Sequence, residues 1–184
     1  LPQQASIWDA YFSDYHTTTG EQRTVQLADG SQVFLNTDTA ISVYYQDARR
    51  QVILHHGQAQ FTVAEDKTRP FTVNSDKLQV LALGTVFEIY RKSSGDIDIS
   101  VQEHAVAVSF AGSGNVQQTA PMRIQQGQQL HLSQDSNKFN LPEIAHDEMS
   151  GAWRQRRVIV KDRPLSELIA EIERYRPGRI FLGG

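Results

Sequence analysis

The chain has 184 residues, 39% of them apolar, and a formal net charge of −3. That apolar share is enough for a packed core and excludes general disorder, while the acidic balance excludes a broad nucleic-acid surface. There is no cysteine, so neither a disulfide framework nor a cysteine zinc site exists, and no run approaches the ~18 apolar residues of a membrane span.

The first 16 residues read as a separate aromatic segment. Trp8, Tyr11, Phe12 and Tyr15 recur at helical spacing, which predicts one face of a short helix over residues 5–16. Such a stripe either docks on a β core or lies in a membrane interface, where Trp and Tyr concentrate. Leu1-Pro2-Gln3-Gln4 lacks the basic and apolar regions of a signal peptide. The chain is therefore either cytosolic or a piece of an anchored protein.

From Thr24 the period becomes two. Val25 and Leu27 lead into Asp29-Gly30, and Val33 and Leu35 lead out, a hairpin pattern. Asn36-Thr37-Asp38 is a turn. Ile41, Val43 and Tyr45 give a strand closed by residues 46–50. Val52 and Leu54 lead to a turn at Gly57, followed by Ala59, Phe61 and Val63. After a polar loop over residues 65–70, Phe71 and Val73 resume the ladder.

Leu78, Val80 and Ala82 share one side of the next strand, and Phe87 and Ile89 share one side of the strand after it. The change from even to odd across Gly84-Thr85 predicts a corner that re-aims the apolar face. Ile97, Ile99 and Val101 point inward while Asp96, Asp98 and Ser100 face water. Parity flips again at Glu103-His104, ahead of Val106, Val108 and Phe110. Gly112-Ser113-Gly114-Asn115 is a loop. Met122 and Ile124, the turn Gln126-Gly127, then Leu130 and Leu132 complete the β region. The reading is mainly β: an antiparallel sandwich or coiled β stack over residues 17–133.

Residues 134–152 read as a linker. Beyond them Val158 and Val160 end a short strand, and Asp162 and Pro164 open a helix as cap and first-turn proline. Leu165, Leu168, Ile169 and Ile172 form its apolar stripe. Pro177-Gly178 stops it, and a strand begins at Arg179. Residues 153–184 thus read as a partial β-α-β subdomain. Residues 151–184 hold 8 basic and 4 acidic side chains, against 10 and 17 in residues 1–150, a split that suggests two units with different partners. Arg154, Arg156, Arg157, Lys161 and Arg163 form either a soluble face or a docking surface for an acidic partner.

Little in the chain carries chemistry. His55 and His56 point to opposite sides of a strand, the other histidines lack ligand spacing, and no metal or other cofactor is implied. No nucleophile elbow, P-loop or dinucleotide fingerprint occurs, so no enzyme is read. The one covalent possibility is Gly84-Thr85, where the Thr hydroxyl sits beside the preceding carbonyl and an N→O acyl shift leads to an ester that water cleaves. A carbohydrate-binding β domain would need its aromatics on one flat face, with Tyr44, Tyr45 and Phe34 as candidates.

Several pieces, in order, resemble one family. They are Gly20-Glu21, the run from Val25 to Asn36, and Gly57-Gln58-Ala59-Gln60-Phe61-Thr62-Val63-Ala64. Arg69-Pro70-Phe71-Thr72-Val73, Leu83-Gly84-Thr85-Val86-Phe87 and Gly127-Gln128-Gln129-Leu130 follow. The last are Ala152-Trp153-Arg154, Asp162-Arg163-Pro164-Leu165 and Arg174-Tyr175-Arg176-Pro177-Gly178. Together they resemble the FecR-type periplasmic signalling domain.

The resemblance implies a transmembrane anti-sigma regulator of siderophore uptake. Its periplasmic domain binds the N-terminal signalling domain of a TonB-dependent outer-membrane receptor. A cytosolic segment, absent here, binds an extracytoplasmic-function sigma factor, and an inner-membrane span, also absent, joins the two. The C-terminal unit would be of the secretin/TonB short-domain type. Trp153, Arg156, Val158, Val160, Leu165, Leu168 and Ile172 are the candidate partner-binding residues, though Leu165, Leu168 and Ile172 read first as helix core, and a free sheet edge suits strand addition. Some members cleave themselves at the Gly-Thr corresponding to Gly84-Thr85. The family usually has Glu-Gly where this chain has Glu103-His104.

Overall fold

The computed structural model describes residues 13–46, 49–110, 120–134, 142–144, 151–159 and 164–180. Its strands are β1 (Tyr15–Thr17), β2 (Arg23–Gln26), β3 (Gln32–Leu35), β4 (Thr39–Gln46), β5 (Arg49–Thr62), β6 (Phe71–Ser75) and β7 (Leu78–Ala82). They continue with β8 (Val86–Arg91), β9 (Ile97–Glu103), β10 (Ala105–Phe110), β11 (Met122–Gln125), β12 (Gln128–Leu132) and β13 (Glu143–Ile144). A 3-10 turn, Ala152–Gln155, and one helix, α1 (Leu165–Glu173), follow.

The strands form a curled sheet folded over a shared core, the coiled β stack expected. One layer, sheet I, runs β1-β4-β5-β6-β7-β10-β11; the other, sheet II, runs β2-β3-β5-β8-β9-β12-β13. β5 belongs to both. Its first half pairs with β4 and, in parallel, with β6; its second half pairs with β3 and β8.

Gly57 makes this sharing possible. It is not the expected turn but a bulge inside one 14-residue strand. Its φ is +88°, and the register against β4 slips beside it. One extra residue flips the inward side. Val52 and Leu54 therefore face the core before Gly57, and Ala59 and Phe61 face it after. The expected corner at Gly84 and the parity change at His104 act alike: β7 lies in sheet I and β8 in sheet II, β9 in sheet II and β10 in sheet I. His104 adopts the left-handed conformation, φ +61°, a region that residues other than glycine seldom enter.

The core between the layers follows the alternation read from the sequence. Phe61 stacks on Phe87 at 5.1 Å and lies 6.2 Å from Phe71. Val33, Leu35, Ile41, Leu78, Ile89, Ile97, Ile99, Val108 and Ile124 fill the rest.

Four readings need correction. The helix over 5–16 fails at its described end: Tyr15–Thr17 is a strand paired with Thr39–Ile41, which satisfies the edge of β4. Trp8, Tyr11 and Phe12 lie outside the described residues. Arg49 and Arg50 begin β5 instead of closing a turn. Glu143–Ile144, inside the expected linker, pairs with Gln128 and Gln129. Of the β-α-β unit the described residues contain the helix; Val158 and Ile159 form no strand, nor do Arg179 and Ile180. Val160, Asp162 and the Gly112–Asn115 loop lie outside the described residues. Among those described, no helix is long and apolar enough to cross a membrane.

Candidate partner-recognition site

Alternation in sheet II sends one set of side chains inward and the opposite set out. The outward set contains Phe34 on β3, Gln58 and Gln60 on β5, Glu88 and Tyr90 on β8, and Asp98, Ser100 and Gln102 on β9. An outer face of this kind normally meets water. Here Gln58, Gln60 and Glu88 are buried, because the chain's own C-terminal segment lies across them.

Two anchors hold that segment. The first is the 3-10 turn. Trp153 stacks on Phe34 at 5.3 Å and 14°, and its Nε1–H donates to Glu88 Oε2 at 2.7 Å. Gln22 Nε2 donates to the Trp153 carbonyl at 2.9 Å, and Arg154 Nη1 donates to Gln60 Oε1 at 2.9 Å. The second anchor is the end of α1. Asn36 Nδ2 donates to the Tyr175 hydroxyl at 2.6 Å, and Thr37 Oγ1 donates to the Arg174 carbonyl at 2.9 Å. The Arg174 guanidinium lies 4.2 Å over the Tyr90 ring and donates to Glu171 at 2.7 Å and to Gln58 Oε1 at 3.3 Å.

Glu88 and Gln58 join the two anchors. Gln58 Nε2 donates to Glu88 Oε1 at 2.6 Å, and Asn36 Nδ2 donates to Gln58 Oε1 at 2.7 Å. Burial pushes the Glu88 carboxyl above the usual carboxylate range, against the pull of hydrogen bonds from Trp153 and Gln58 and of the charges on Arg154 and Arg174. Beside the network a groove of about 850 Å³ opens, lined by Tyr90, Lys92, His131, Trp153, Arg157 and Glu171. Asp98 stands there only partly wet, 2.7 Å from Lys92 Nζ and 2.6 Å from His131 Nδ1. Burial pushes its carboxyl up, but these two partners outweigh it and hold it below its ordinary value.

The expected partner-binding residues divide accordingly. Trp153 is buried in the first anchor. Arg156 is exposed, at φ +56°, and Val158 lines the groove half-buried. Leu165 is 55% exposed, so it is not core; Leu168 and Ile172 are half-buried, and α1 has no buried residue. Sequence reasoning passed over Glu88, Gln58, Asn36, Tyr90, Arg174 and Tyr175 as site residues. A signal was present: Asn36, Gln58, Trp153, Arg174 and Tyr175 all sit in the motifs that carried the family resemblance, and the fold brings those motifs together.

The Leu83-Gly84-Thr85 corner is a separate feature. Gly84 has φ +146°, and a Cβ there would lie 3.1 Å from Glu65 Cα. The Leu83 carbonyl accepts from Asp66 N at 3.2 Å, and the Thr85 carbonyl accepts from Val63 N at 2.9 Å. His104 Nδ1 lies 2.8 Å from the Gly84 carbonyl oxygen, a contact that requires the Nδ1–H tautomer. Thr85 is buried, and its Oγ1 has no hydrogen-bond partner.

The aromatics expected of a carbohydrate face do not share one. Phe34 lies under Trp153, Tyr45 turns inward to Phe71 and donates to Asp29 at 2.9 Å, and Tyr44 is exposed. Among the described residues no group of His, Asp or Glu has the geometry of a metal site.

The profile of the FecR protein family matches residues 13–107. Two crystal structures of a "putative anti-sigma factor" from Parabacteroides distasonis ATCC 8503 are similar to this chain, with TM-scores of 0.75 and 0.74. Each is 25% identical to it, and each match covers 88% of this chain and 73% of the other. No curated protein matches.

Proposed function

This chain belongs to the FecR protein family, and on that footing we propose that it is the signalling domain of a transmembrane anti-sigma regulator. In this reading the domain is periplasmic. It binds the N-terminal signalling domain of a TonB-dependent siderophore receptor, and a cytosolic segment of the same protein relays the signal to a sigma factor that controls iron-uptake genes. The likeness to the Parabacteroides structures supports the anti-sigma role.

The partner surface is assigned to the C-terminal segment. The observation that carries this is α1: nine residues whose apolar stripe is half-buried at Leu168, Ile169 and Ile172 and, at its first residue Leu165, 55% exposed. An amphipathic helix that only partly buries its stripe within its own chain leaves the remainder for another. Arg156 and Arg157, both exposed, precede it in the chain and add positive charge to the segment. The test is titration of the chain with the receptor's signalling domain, and loss of that binding on deletion of residues 151–184.

A second reading concerns Gly84-Thr85. The Thr85 hydroxyl is buried and unpaired, and His104 donates to the carbonyl it would attack. In an N→O shift, Thr85 Oγ1 adds to the Gly84 carbonyl carbon, its proton passes to the departing amide nitrogen, and water then hydrolyses the ester. Intact-mass measurement of purified protein decides this. Two fragments meeting at that bond, restored to one by Thr85→Ala, are expected; a single intact mass for the unaltered chain refutes it.

A further inference from the structure

Among the described residues, the hydrophobic core between the sheets draws nothing from the C-terminal segment. Its members run from Val25 to Leu132. Among the described residues the segment is held by the Trp153–Phe34 stack, the Arg174–Tyr90 contact, the half-burial of Leu168, Ile169 and Ile172, and hydrogen bonds to the β stack. Most of these bonds lie at the segment's two ends; on the helix between them Tyr90 donates to Glu171 at 3.2 Å, and no helix residue is fully buried.

We propose that the outer face of sheet II is a docking site that the chain fills with its own Trp153–Tyr175 segment, as a latch that detaches while the β stack stays folded. Detachment returns Asn36, Gln58, Gln60 and Glu88 to water, where each finds new partners, so most of the lost hydrogen bonding is replaced. The core between the sheets is untouched. The segment therefore opens at a free energy below that of global unfolding. In the closed state Trp153 is 5% exposed and its indole N–H is held by Glu88. In the open state the same side chain is free. A partner that grips Trp153 selects the open state; one that grips Leu165 alone binds both states equally. This last link rests on the function proposed above, whereas the latch rests on the contacts alone.

Hydrogen exchange of the whole chain, followed by mass spectrometry without any partner, tests the latch. Trp153→Phe keeps a ring on Phe34 and removes the donor to Glu88. Tyr175→Phe removes the hydroxyl that accepts from Asn36. Each change is expected to speed exchange of Ala152–Gln155 and Leu165–Glu173 about tenfold, with β5, β8 and β9 as protected as before. Protection lost from β5, β8 and β9 in step with the segment would overturn the proposal, since the two would be one cooperative unit. A segment that responds to neither variant would overturn it as well, since those contacts would not be what holds it. A chain that behaves as a latch yet never binds the receptor domain refutes the partner reading and leaves the latch standing.

Discussion

Arg50→Ala lowers the unfolding free energy by about 3–5 kcal/mol, the usual cost of removing one partner from a buried ion pair. Arg50 and Asp29 are 1% and 3% exposed and meet at 2.8 Å. The guanidinium also donates to the carbonyls of Arg69 at 2.8 Å and Ala64 at 3.0 Å, tying the loop after β5 to the start of that strand. Asp29 accepts from the Ser31 hydroxyl at 2.7 Å and from Tyr45 at 2.9 Å. Burial pushes its carboxyl up, but the bonds from Ser31 and Arg50 win and hold it below its ordinary value. Removing Arg50 leaves that carboxylate buried without its cation. Urea unfolding of the purified chain checks the number. The double variant Asp29→Leu with Arg50→Met is expected to recover much of the loss, because neither charge is then left alone. A loss under 1 kcal/mol for Arg50→Ala would mean that water reaches the pair.

Gly57→Ala is the second large effect, on the order of 4 kcal/mol. Two costs add. A non-glycine residue at φ +88° carries about 1–3 kcal/mol of backbone strain. The new Cβ would also overlap Thr39 Oγ1 and lie 2.5 Å from Asp38 O and 2.6 Å from Thr39 Cα, and overpacking of this kind costs about 1–3 kcal/mol. Backbone atoms cannot swing aside as a side-chain tip does, so the slip between β4 and β5 must move with them. Thermal unfolding monitored by circular dichroism reads the effect. A near-neutral Gly57→Ala would contradict the account of how β5 passes from one sheet to the other.

These two positions also show where sequence reasoning reaches its limit. Alternation located most of the strands, because a half-buried strand must place apolar groups at every second residue. Glycine at 57 announced a backbone exception, yet a bulge and a turn require the same residue, and only the partner strand tells them apart. Arg50 looked like part of a polar turn because charge predicts exposure; its partner, Asp29, sits 21 positions away in a hairpin loop. The corner at Gly84 and the parity change at Glu103-His104 were legible, since each reverses which residues are apolar.

The candidate site was harder to read for a related reason. Gln58, Gln60 and Glu88 occupy the polar half of the alternation, and that half reads as solvated whether or not something later covers it. What covers it, Trp153 and Arg174-Tyr175, lies 65 residues or more along the chain from Glu88. Periodicity is blind to such pairings. The motif residues were the better guide, because Asn36, Gln58, Trp153 and Tyr175 are held in one network. Helix α1 was legible as an amphipathic element, but the exposure of Leu165 at its start was not. Leu165 has the same spacing whether it faces a core or solvent.

Under the proposed function, this domain recognises a receptor's signalling domain through its C-terminal segment. Isothermal titration of the chain with that domain tests it most directly. Saturable binding is expected. Leu165→Asp, at a position already 55% exposed and therefore neutral for folding, is expected to weaken it at least tenfold, since an apolar anchor buried by a partner contributes about 2 kcal/mol or more. Absence of binding, or binding that persists unchanged in Leu165→Asp and in the chain lacking residues 151–184, would contradict the account and move recognition elsewhere.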